Sequence, residues 1–234
     1  EMTIALFPGS FKPPHKGHLL AAESLGADAD LVYIFVSAPA LSGRTMRSGE
    51  SISPDQAVQC WQIMLDKSPI KNKAKVMIGP PGVASPMMTA FNFIQHPADP
   101  NNVYVAPENA KVILGVGAKG GDADRYGGKV LSKSKELRPD LKIQTKAVGP
   151  FTHSADYVDL LESNPTILSM LNKGKGRTAD KHLYHASDMR DFIDLAVEDP
   201  IGIQFLQDFV PNPEDALAVM GILGLNPKDP RDDE

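Results

Sequence analysis

Residues 2–26 read MTIALFPGSFKPPHKGHLLAAESLG, and this stretch decides the fold. Met2 to Phe7 is a short apolar run that stops at Pro8-Gly9, which is typical of a buried β-strand ending at a turn. From Gly17 to Leu25 the pattern favours a short helix, and Gly26 is suited to be its C-cap. The chain is therefore expected to begin with a strand, a turn and a helix.

The same alternation continues for about 150 residues. Leu31 to Val36 (LVYIFV) is apolar throughout, which is typical of a parallel strand covered on both faces. Ser53-Pro54 predicts the start of a second helix, because serine is a good N-cap and proline suits the first helical position. Further strands are expected at Lys75 to Ile78, Lys111 to Val116 and Leu141 to Val148, and a further helix from Pro86 to Ile94.

Strands that alternate with helices predict an α/β fold, here a Rossmann-like doubly wound parallel sheet with C-terminal helices. In such sheets, ligands bind outside the carboxyl ends of the strands. The C-terminal helices are expected at Asp156 to Glu162, Pro165 to Leu171, Ser187 to Val197, Ile203 to Phe209 and Pro213 to Leu223. We predict an α/β domain over residues 1–197 and a C-terminal helical extension with a frayed tail over 198–234.

Composition excludes several classes of protein. The 234 residues carry a formal net charge of −5, which argues against broad electrostatic binding of nucleic acid, so any anion site must be local. The single cysteine, Cys60, excludes an internal disulfide and a cysteine-based zinc site, and we expect it to be a buried thiol. No apolar run approaches the roughly 20 residues of a membrane helix, and the first residues lack a signal-peptide pattern. We expect a cytoplasmic protein without a membrane partner.

The turn between the first strand and helix, Gly9 to His18 (GSFKPPHKGH), has the chemistry of an anion site. Gly9 allows the backbone to approach a ligand closely, and the helix start offers unpaired N–H groups to phosphate oxygens. His15 and His18 lie on one face of the first helical turn, where each can donate a hydrogen bond to the same anion. Capping of the helix is the alternative role for such a pair.

This segment resembles the G-x-F-x-P-x-H-x-G-H signature of the nucleotidylyltransferase superfamily, which includes nicotinamide-mononucleotide and pantetheine-phosphate adenylyltransferases and glycerol-phosphate cytidylyltransferase. The matching residues are Gly9, Phe11, Pro13, His15, Gly17 and His18. The resemblance implies that both histidines contact the triphosphate and stabilise the charge that grows on the transferred phosphoryl group. It also implies a nucleotide site at Gly9, Ser10, Phe11, Lys12 and Gly17. Lys12 departs from the Asp or Asn that members often carry, which leaves the acceptor open.

A second segment, His185 to Arg190 (HASDMR), resembles the I-S-[ST]-T-x-[IM]-R signature of the same superfamily. Ser187 is expected at the N-cap or in the first turn of a helix, and Arg190 then falls on the same face. The resemblance implies that Ser187 and Met189 help to bind the nucleotide and that Arg190 is catalytic beside the two histidines. Asp188 departs from the usual Thr or Lys.

Two loops at the expected carboxyl edge carry further candidates. Arg44 and Arg47 follow the second strand, where two guanidinium groups suit capture of the acceptor's phosphate, although solvated surface charge explains them equally well. The loop after the fourth strand offers Gly117, Lys119, Asp122 and Arg125 to the nucleotide. No metal cluster is visible in the sequence, so we expect Mg²⁺ to arrive with the triphosphate.

The resemblance implies transfer of AMP from ATP to a small phosphorylated acceptor with release of pyrophosphate. Nicotinamide mononucleotide is the leading acceptor. Pantetheine-phosphate adenylyl transfer, cytidylyl transfer from CTP, and a retired enzyme used as a nucleotide-binding structural subunit remain as alternatives. An RNA-binding relative of aminoacyl-tRNA synthetases is disfavoured by the small size and acidic charge. The sequence leaves the oligomeric state open, homo-oligomers included.

Overall fold

The computed structural model describes residues 1–38, 46, 51–83, 85–117, 127–172 and 180–233. These residues group into two compact units. The first unit draws on residues 1–11, 19–39 and 65–150, and the second draws on 12–18, 40–64 and 151–234. The chain passes from the first to the second between Phe11 and Lys12. The domain division at residue 197 stays a prediction from the sequence.

The first unit is built on a parallel sheet. Its described strands are β1 (Thr3–Gly9), β2 (Leu31–Val36), β3 (Ala74–Ile78), β4 (Lys111–Gly117) and β5 (Lys142–Val148). They follow the order β3-β2-β1-β4-β5, and each neighbouring pair is parallel. This confirms the predicted Rossmann-like doubly wound α/β fold. The register pairs Gly9 with Val36 and Gly117 with Val148, so the carboxyl ends of four strands share one edge.

The helices in the described part of the chain are mostly those predicted. They are α1 (Lys16–Gly26), α2 (Pro54–Leu65), α3 (Pro86–Gln95), α4 (Gly128–Leu137), α5 (Ala155–Glu162), α6 (Pro165–Asn172), α7 (Ala186–Glu198), α8 (Ile201–Leu206) and α9 (Asp215–Ile222). Short 3₁₀ turns follow at Gln207–Phe209 and Pro230–Asp233. The sequence did not predict α4, because GKVLSKSKEL begins with glycine and has too few apolar residues for a clear helical stripe.

Both faces of the sheet are covered, as the apolar strands require. Ile4 and Leu6 of β1 lie in one buried cluster with Phe93 of α3. Leu25 of α1 packs against β4 at Gly115. The side chains on either side of Gly115 belong to the α3 cluster, so α1 covers the opposite face.

The second unit has a hydrophobic core of its own, made mainly by helices. Completely buried members include Cys60 of α2, Leu161 of α5, Phe192 of α7, Phe205 of α8 and Met220 of α9. Burial raises the pKa of the Cys60 thiol to about 12, which confirms the expected inert, buried cysteine. None of the helices in the described ranges is both long enough and apolar enough to cross a membrane.

The buried guanidinium of Arg138 stabilises one edge of the first unit. This edge lies opposite the carboxyl ends of the strands, where the candidate site residues are. Arg138, which is 4% exposed, donates to the main-chain oxygens of His96, Ala106 and Pro107 at 2.9, 3.0 and 3.2 Å. It also forms a two-pronged pair with the Asp140 carboxylate, at 3.0 Å for each bond. This hydrogen bonding to Arg138 lowers the pKa of Asp140 to about 2.

Asp140→Asn should therefore destabilise the fold at neutral pH, because it leaves the buried guanidinium without its counter-charge. We expect the free energy of unfolding to fall by about 1.5–3 kcal/mol at pH 7, the range for hydrogen bonds to charged groups. The folded carboxyl has the lower pKa, so its contribution is present above about pH 4 and disappears as the pH falls towards 2. Urea unfolding of both proteins across this range measures the effect.

Asp66→Asn is the matched control, because the Asp66–Lys71 pair is 2.9 Å long but both side chains are more than half exposed. Solvent screens such a pair, and the free energy of unfolding should hardly change. Equal losses in the two variants would contradict the role assigned to Arg138.

Candidate functional site

The first part of the signature is a packed Gly–Phe pair in the first unit. The Phe11 ring covers Gly9 so closely that a Cβ at position 9 would lie 2.6 Å from Phe11 Cζ. Phe7 closes the other side, with its ring centroid 5.3 Å from that of Phe11. Phe11 has a φ of 52°, a left-handed conformation that costs a bulky residue about 1–3 kcal/mol. Packing thus holds the backbone after β1 in a turn it would not adopt alone.

The second part of the signature, in the second unit, is held by two reciprocal hydrogen bonds. The main-chain N–H of His15 donates to Nδ1 of His18 at 3.0 Å, and the main-chain N–H of His18 donates to Nδ1 of His15 at 3.3 Å. His15 directly precedes α1 and His18 is its third residue. The arrangement is a capping box in which two imidazoles replace the usual Ser or Thr and Glu. Nδ1 of each ring therefore caps the helix, and the predicted donor role would fall to Nε2 of the same ring.

These hydrogen bonds fix the chemistry of the rings. Each Nδ1 accepts an N–H and so carries no proton, which places the ring proton of the neutral imidazole on Nε2. The rings also stack, with centroids 3.6 Å apart and planes 17° apart. The N–H of each neutral ring therefore lies on the side away from the helix cap.

Lys12 and Arg190 secure the start of this turn. The Lys12 side chain is 2% exposed, and its ammonium donates to the Ile52 carbonyl at 2.6 Å. Arg190 of α7 donates from one guanidinium nitrogen to the Lys12 carbonyl at 2.7 Å. A direct hydrogen bond thus joins two residues that are 178 positions apart in the chain. The Lys12 ammonium bonds a carbonyl here, so contact between this side chain and a nucleotide stays a prediction.

The rest of the second signature lies on the first turns of α7. Ser187 is the second residue of this helix and is half-buried. Met189 is completely buried in the hydrophobic core of the second unit. Packing in this core explains why the residue at this position is apolar. Asp188 is also buried, at 4% exposure. The predicted nucleotide contacts of Ser187 and Met189 stay predictions.

The structure adds a group that the sequence did not indicate, centred on Asp208 in the second unit. Its carboxylate accepts hydrogen bonds from Nδ1 of His153 at 2.7 Å and from the Ser154 hydroxyl at 2.7 Å. Burial raises the pKa of Asp208, but these hydrogen bonds outweigh it and hold the pKa below its usual range. The Asp208 main-chain oxygen accepts the hydroxyl of Tyr184 at 3.0 Å. The partners are 24 to 55 residues apart, so no local pattern could reveal them.

Tyr184 extends this group to the histidine pair. Its ring centroid lies 3.9 Å from that of His153 and 5.4 Å from that of His15, and its plane is 21° from that of His15. Among the other histidines, His185 pairs with Asp180 at 3.1 Å at the start of α7. His153 and His185 thus each lie beside a specific carboxylate, Asp208 and Asp180 respectively.

Several candidates lie outside the described residues. These are Arg44 and Arg47 for the acceptor, and Lys119, Asp122 and Arg125 for the nucleotide. Gly117 is described and ends β4 at the carboxyl edge of the first unit, as does Gly9 in β1. Ser10 is half-buried directly after β1.

The reciprocal hydrogen bonds predict the tautomers of His15 and His18. A long-range ¹H–¹⁵N correlation spectrum at pH 7.5 should show both rings with protonated Nε2 and unprotonated Nδ1, because main-chain N–H groups occupy both Nδ1 atoms. The exposed His96 provides the reference and should show averaging between tautomers. A protonated Nδ1 on either signature histidine would contradict the capping arrangement.

The close approach around Gly17 predicts a second result. A Cβ at position 17 would lie 3.0 Å from Tyr184 Cβ and 3.0 Å from His15 Cε1, so Gly17→Ala forces one of them to move. We expect a loss of about 1–3 kcal/mol in the free energy of unfolding, typical of overpacking. Urea unfolding should show no loss for Gly128→Ala in α4, where a Cβ would meet nothing within 4 Å. Comparable stability of the two variants would refute the close packing.

Comparison with known proteins bears on the fold. No protein family model matches the chain, and no curated protein matches it either. The solved structure of Plasmodium falciparum nicotinic acid mononucleotide adenylyltransferase complexed with APC matches with a TM-score of 0.52 at 11% identity, over 97% of this chain and 99% of that chain.

A bifunctional NMN adenylyltransferase/ADP ribose pyrophosphatase from Francisella tularensis, complexed with AMP and a Mn ion, also matches. Its TM-score is 0.38 at 13% identity, over 88% of this chain and 52% of that chain. At such low identities a likeness concerns the fold alone, and the match to the Plasmodium protein supports a shared fold. This chain therefore shares the α/β fold of the Plasmodium falciparum nicotinic acid mononucleotide adenylyltransferase.

Proposed function

We propose that this protein is an adenylyltransferase that transfers AMP from ATP to a small phosphorylated acceptor and releases pyrophosphate. The observation that supports this proposal is the imidazole capping box, in which both Nδ1 atoms accept main-chain N–H groups at the helix start and the N–H of each ring lies on Nε2. Capping alone needs only an acceptor at each position, which Ser, Asp or Asn provides. An imidazole also carries an N–H donor on Nε2, which a phosphate ligand would use.

In the proposed reaction, a phosphate oxygen of the acceptor attacks the α-phosphorus of ATP, and the bond from that phosphorus to the β-phosphate oxygen breaks. The acceptor gains AMP, and pyrophosphate leaves with the electron pair of the broken bond. His15 and His18 would donate to oxygens that gain negative charge, and the N-terminus of α1 would add main-chain N–H groups. Holding the reactants in line supplies the remaining rate enhancement.

Arg190 and Ser187 would bind the β- and γ-phosphates. A guanidinium offers five N–H donors, and one guanidinium nitrogen already anchors the Lys12 carbonyl. This bond would hold the arginine at the turn that carries both histidines. Its positive charge would then stabilise the leaving pyrophosphate.

Magnesium is the expected cofactor of this reaction. In the described ranges, His, Cys, Asp and Glu side chains do not form a group of three or more suited to a metal ion. We propose that the ion is held mainly by phosphate oxygens and water and arrives with the triphosphate. When bound, it would neutralise triphosphate charge.

A pyridine mononucleotide is the proposed acceptor, with nicotinamide mononucleotide first. The Plasmodium protein that shares the fold is named for nicotinic acid mononucleotide, which supports the same acceptor class. Pyrophosphate release should be measured with ATP or CTP, with and without Mg²⁺, against nicotinamide mononucleotide, nicotinic acid mononucleotide, phosphopantetheine and glycerol 3-phosphate. Release only with ATP and a pyridine mononucleotide would support the proposal. Release that depends on phosphopantetheine would identify that molecule as the acceptor instead. Release that depends on CTP would identify CTP as the nucleotide.

Asparagine variants separate the two functions of the histidines. In His15→Asn and His18→Asn, the side-chain oxygen occupies nearly the place of Nδ1 and keeps the cap, but the Nε2–H donor is lost. We expect kcat to fall about 10²–10³-fold, as for loss of one oxyanion donor, while urea unfolding stays close to that of the wild type.

His96→Ala, at an exposed site after α3, is the control and should keep full turnover. Normal turnover in both asparagine variants would exclude the histidines as phosphate donors. Binding of ATP without pyrophosphate release from any acceptor would favour a retired nucleotide-binding subunit.

A further inference from the structure

We propose that Tyr184 is a positioning residue that holds the His15 imidazole in its reactive orientation. Tyr184 contacts the histidine turn at two points. Its ring stacks with that of His15 at a centroid distance of 5.4 Å, and its Cβ lies 3.0 Å from the place that a Cβ of Gly17 would occupy. The tyrosine therefore packs against both the ring and the backbone of the turn.

Tyr184 can hold His15 because it is itself fixed. It is 3% exposed, and its hydroxyl donates to the Asp208 main-chain oxygen at 3.0 Å. Burial and the Asp208 carboxylate raise the pKa of this hydroxyl, so it remains a donor across the neutral range. Its ring lies against His153, which the same Asp208 holds through its carboxylate. The main-chain oxygen of Asp208 thus holds Tyr184, and the carboxylate of Asp208 holds His153.

The His15 ring needs this support. The hydrogen bond to its Nδ1 is 3.3 Å long, beyond the usual range for N–H donors, whereas the bond to His18 Nδ1 is 3.0 Å long. Stacking against the His18 ring at 3.6 Å and against the Tyr184 ring therefore contributes to its orientation. Without the tyrosine ring, the imidazole can rotate into the space left beside it.

The consequence for turnover rests on the proposed adenylyl transfer. A donor that is misplaced by 1 Å can cost about 100-fold in rate, although the substrate still binds. Tyr184 would therefore affect kcat and leave the KM for ATP nearly unchanged. This pattern distinguishes a positioning residue from one that binds ATP directly.

Three variants at this position separate the ring from the hydroxyl. Tyr184→Phe keeps the ring and loses the hydrogen bond to Asp208, whereas Tyr184→Leu and Tyr184→Met remove the ring and refill the space to different extents. Phe205→Leu is the control for general weakening of the second unit. Phe205 is completely buried and stacks with Phe192 at 4.5 Å. All four full-length variants are first compared with the wild type by urea unfolding.

Two independent measurements are then made on each folded variant: kcat and KM for ATP, and the His15 resonances in the long-range ¹H–¹⁵N spectrum. We expect Tyr184→Leu and Tyr184→Met to lose about 100-fold in kcat, with KM changed less than about threefold. In both, the His15 nitrogens should shift towards the values of exchanging tautomers. Tyr184→Phe should keep most of the turnover and the wild-type tautomer, and Phe205→Leu should keep both.

A His15 tautomer that stays fixed in whichever ring-deletion variant folds would overturn the positioning role. The positioning role would also be overturned if the ring-deletion variants lost no more kcat than Phe205→Leu does. If the wild type itself transfers no adenylyl group, the proposed function fails, and the spectrum alone decides whether Tyr184 orients His15. The two failures are therefore distinguishable.

Discussion

The reciprocal hydrogen bonds between His15 and His18 are the constraint on which the candidate site depends. They begin α1, determine which nitrogen of each ring carries the proton and bring the rings into a stack. A Cβ at position 17 would lie only 3.0 Å from the His15 ring and from Tyr184, so a side chain there requires one of them to move. The spacing of the second half of the signature is thus a geometric requirement as much as a chemical one.

Around this turn, the second unit supplies support from distant parts of the chain. Arg190 bonds the carbonyl of Lys12, and the Lys12 ammonium bonds the carbonyl of Ile52. Tyr184 packs against the turn and is held by Asp208. Each contact uses a main-chain oxygen or a ring face. The turn is therefore held by main-chain hydrogen bonds and by ring packing from distant parts of the chain.

The sequence predicted the sheet well, because apolar runs such as Leu31–Val36 carry a strong local signal and their parallel arrangement follows from alternation with helices. It placed the starts of α1 and α2 within one residue, since both begin at recognisable caps. It missed α4, whose sequence has no clear apolar stripe, and it did not indicate the Asp208 group. Contacts over 24 to 55 residues depend on packing that no short motif encodes. The roles of the site residues come from the resemblance and are proposals here.

The imidazole capping box also bears on how this sequence would drift if it lost its proposed activity. Asparagine, serine or aspartate at position 15 would supply the acceptor that caps α1 as well as histidine does. Capping by itself therefore does not require an imidazole at this position. The proposed function would give the two rings a second role beside the closely packed Gly17, and loss of that function would leave only capping and ring packing to retain them.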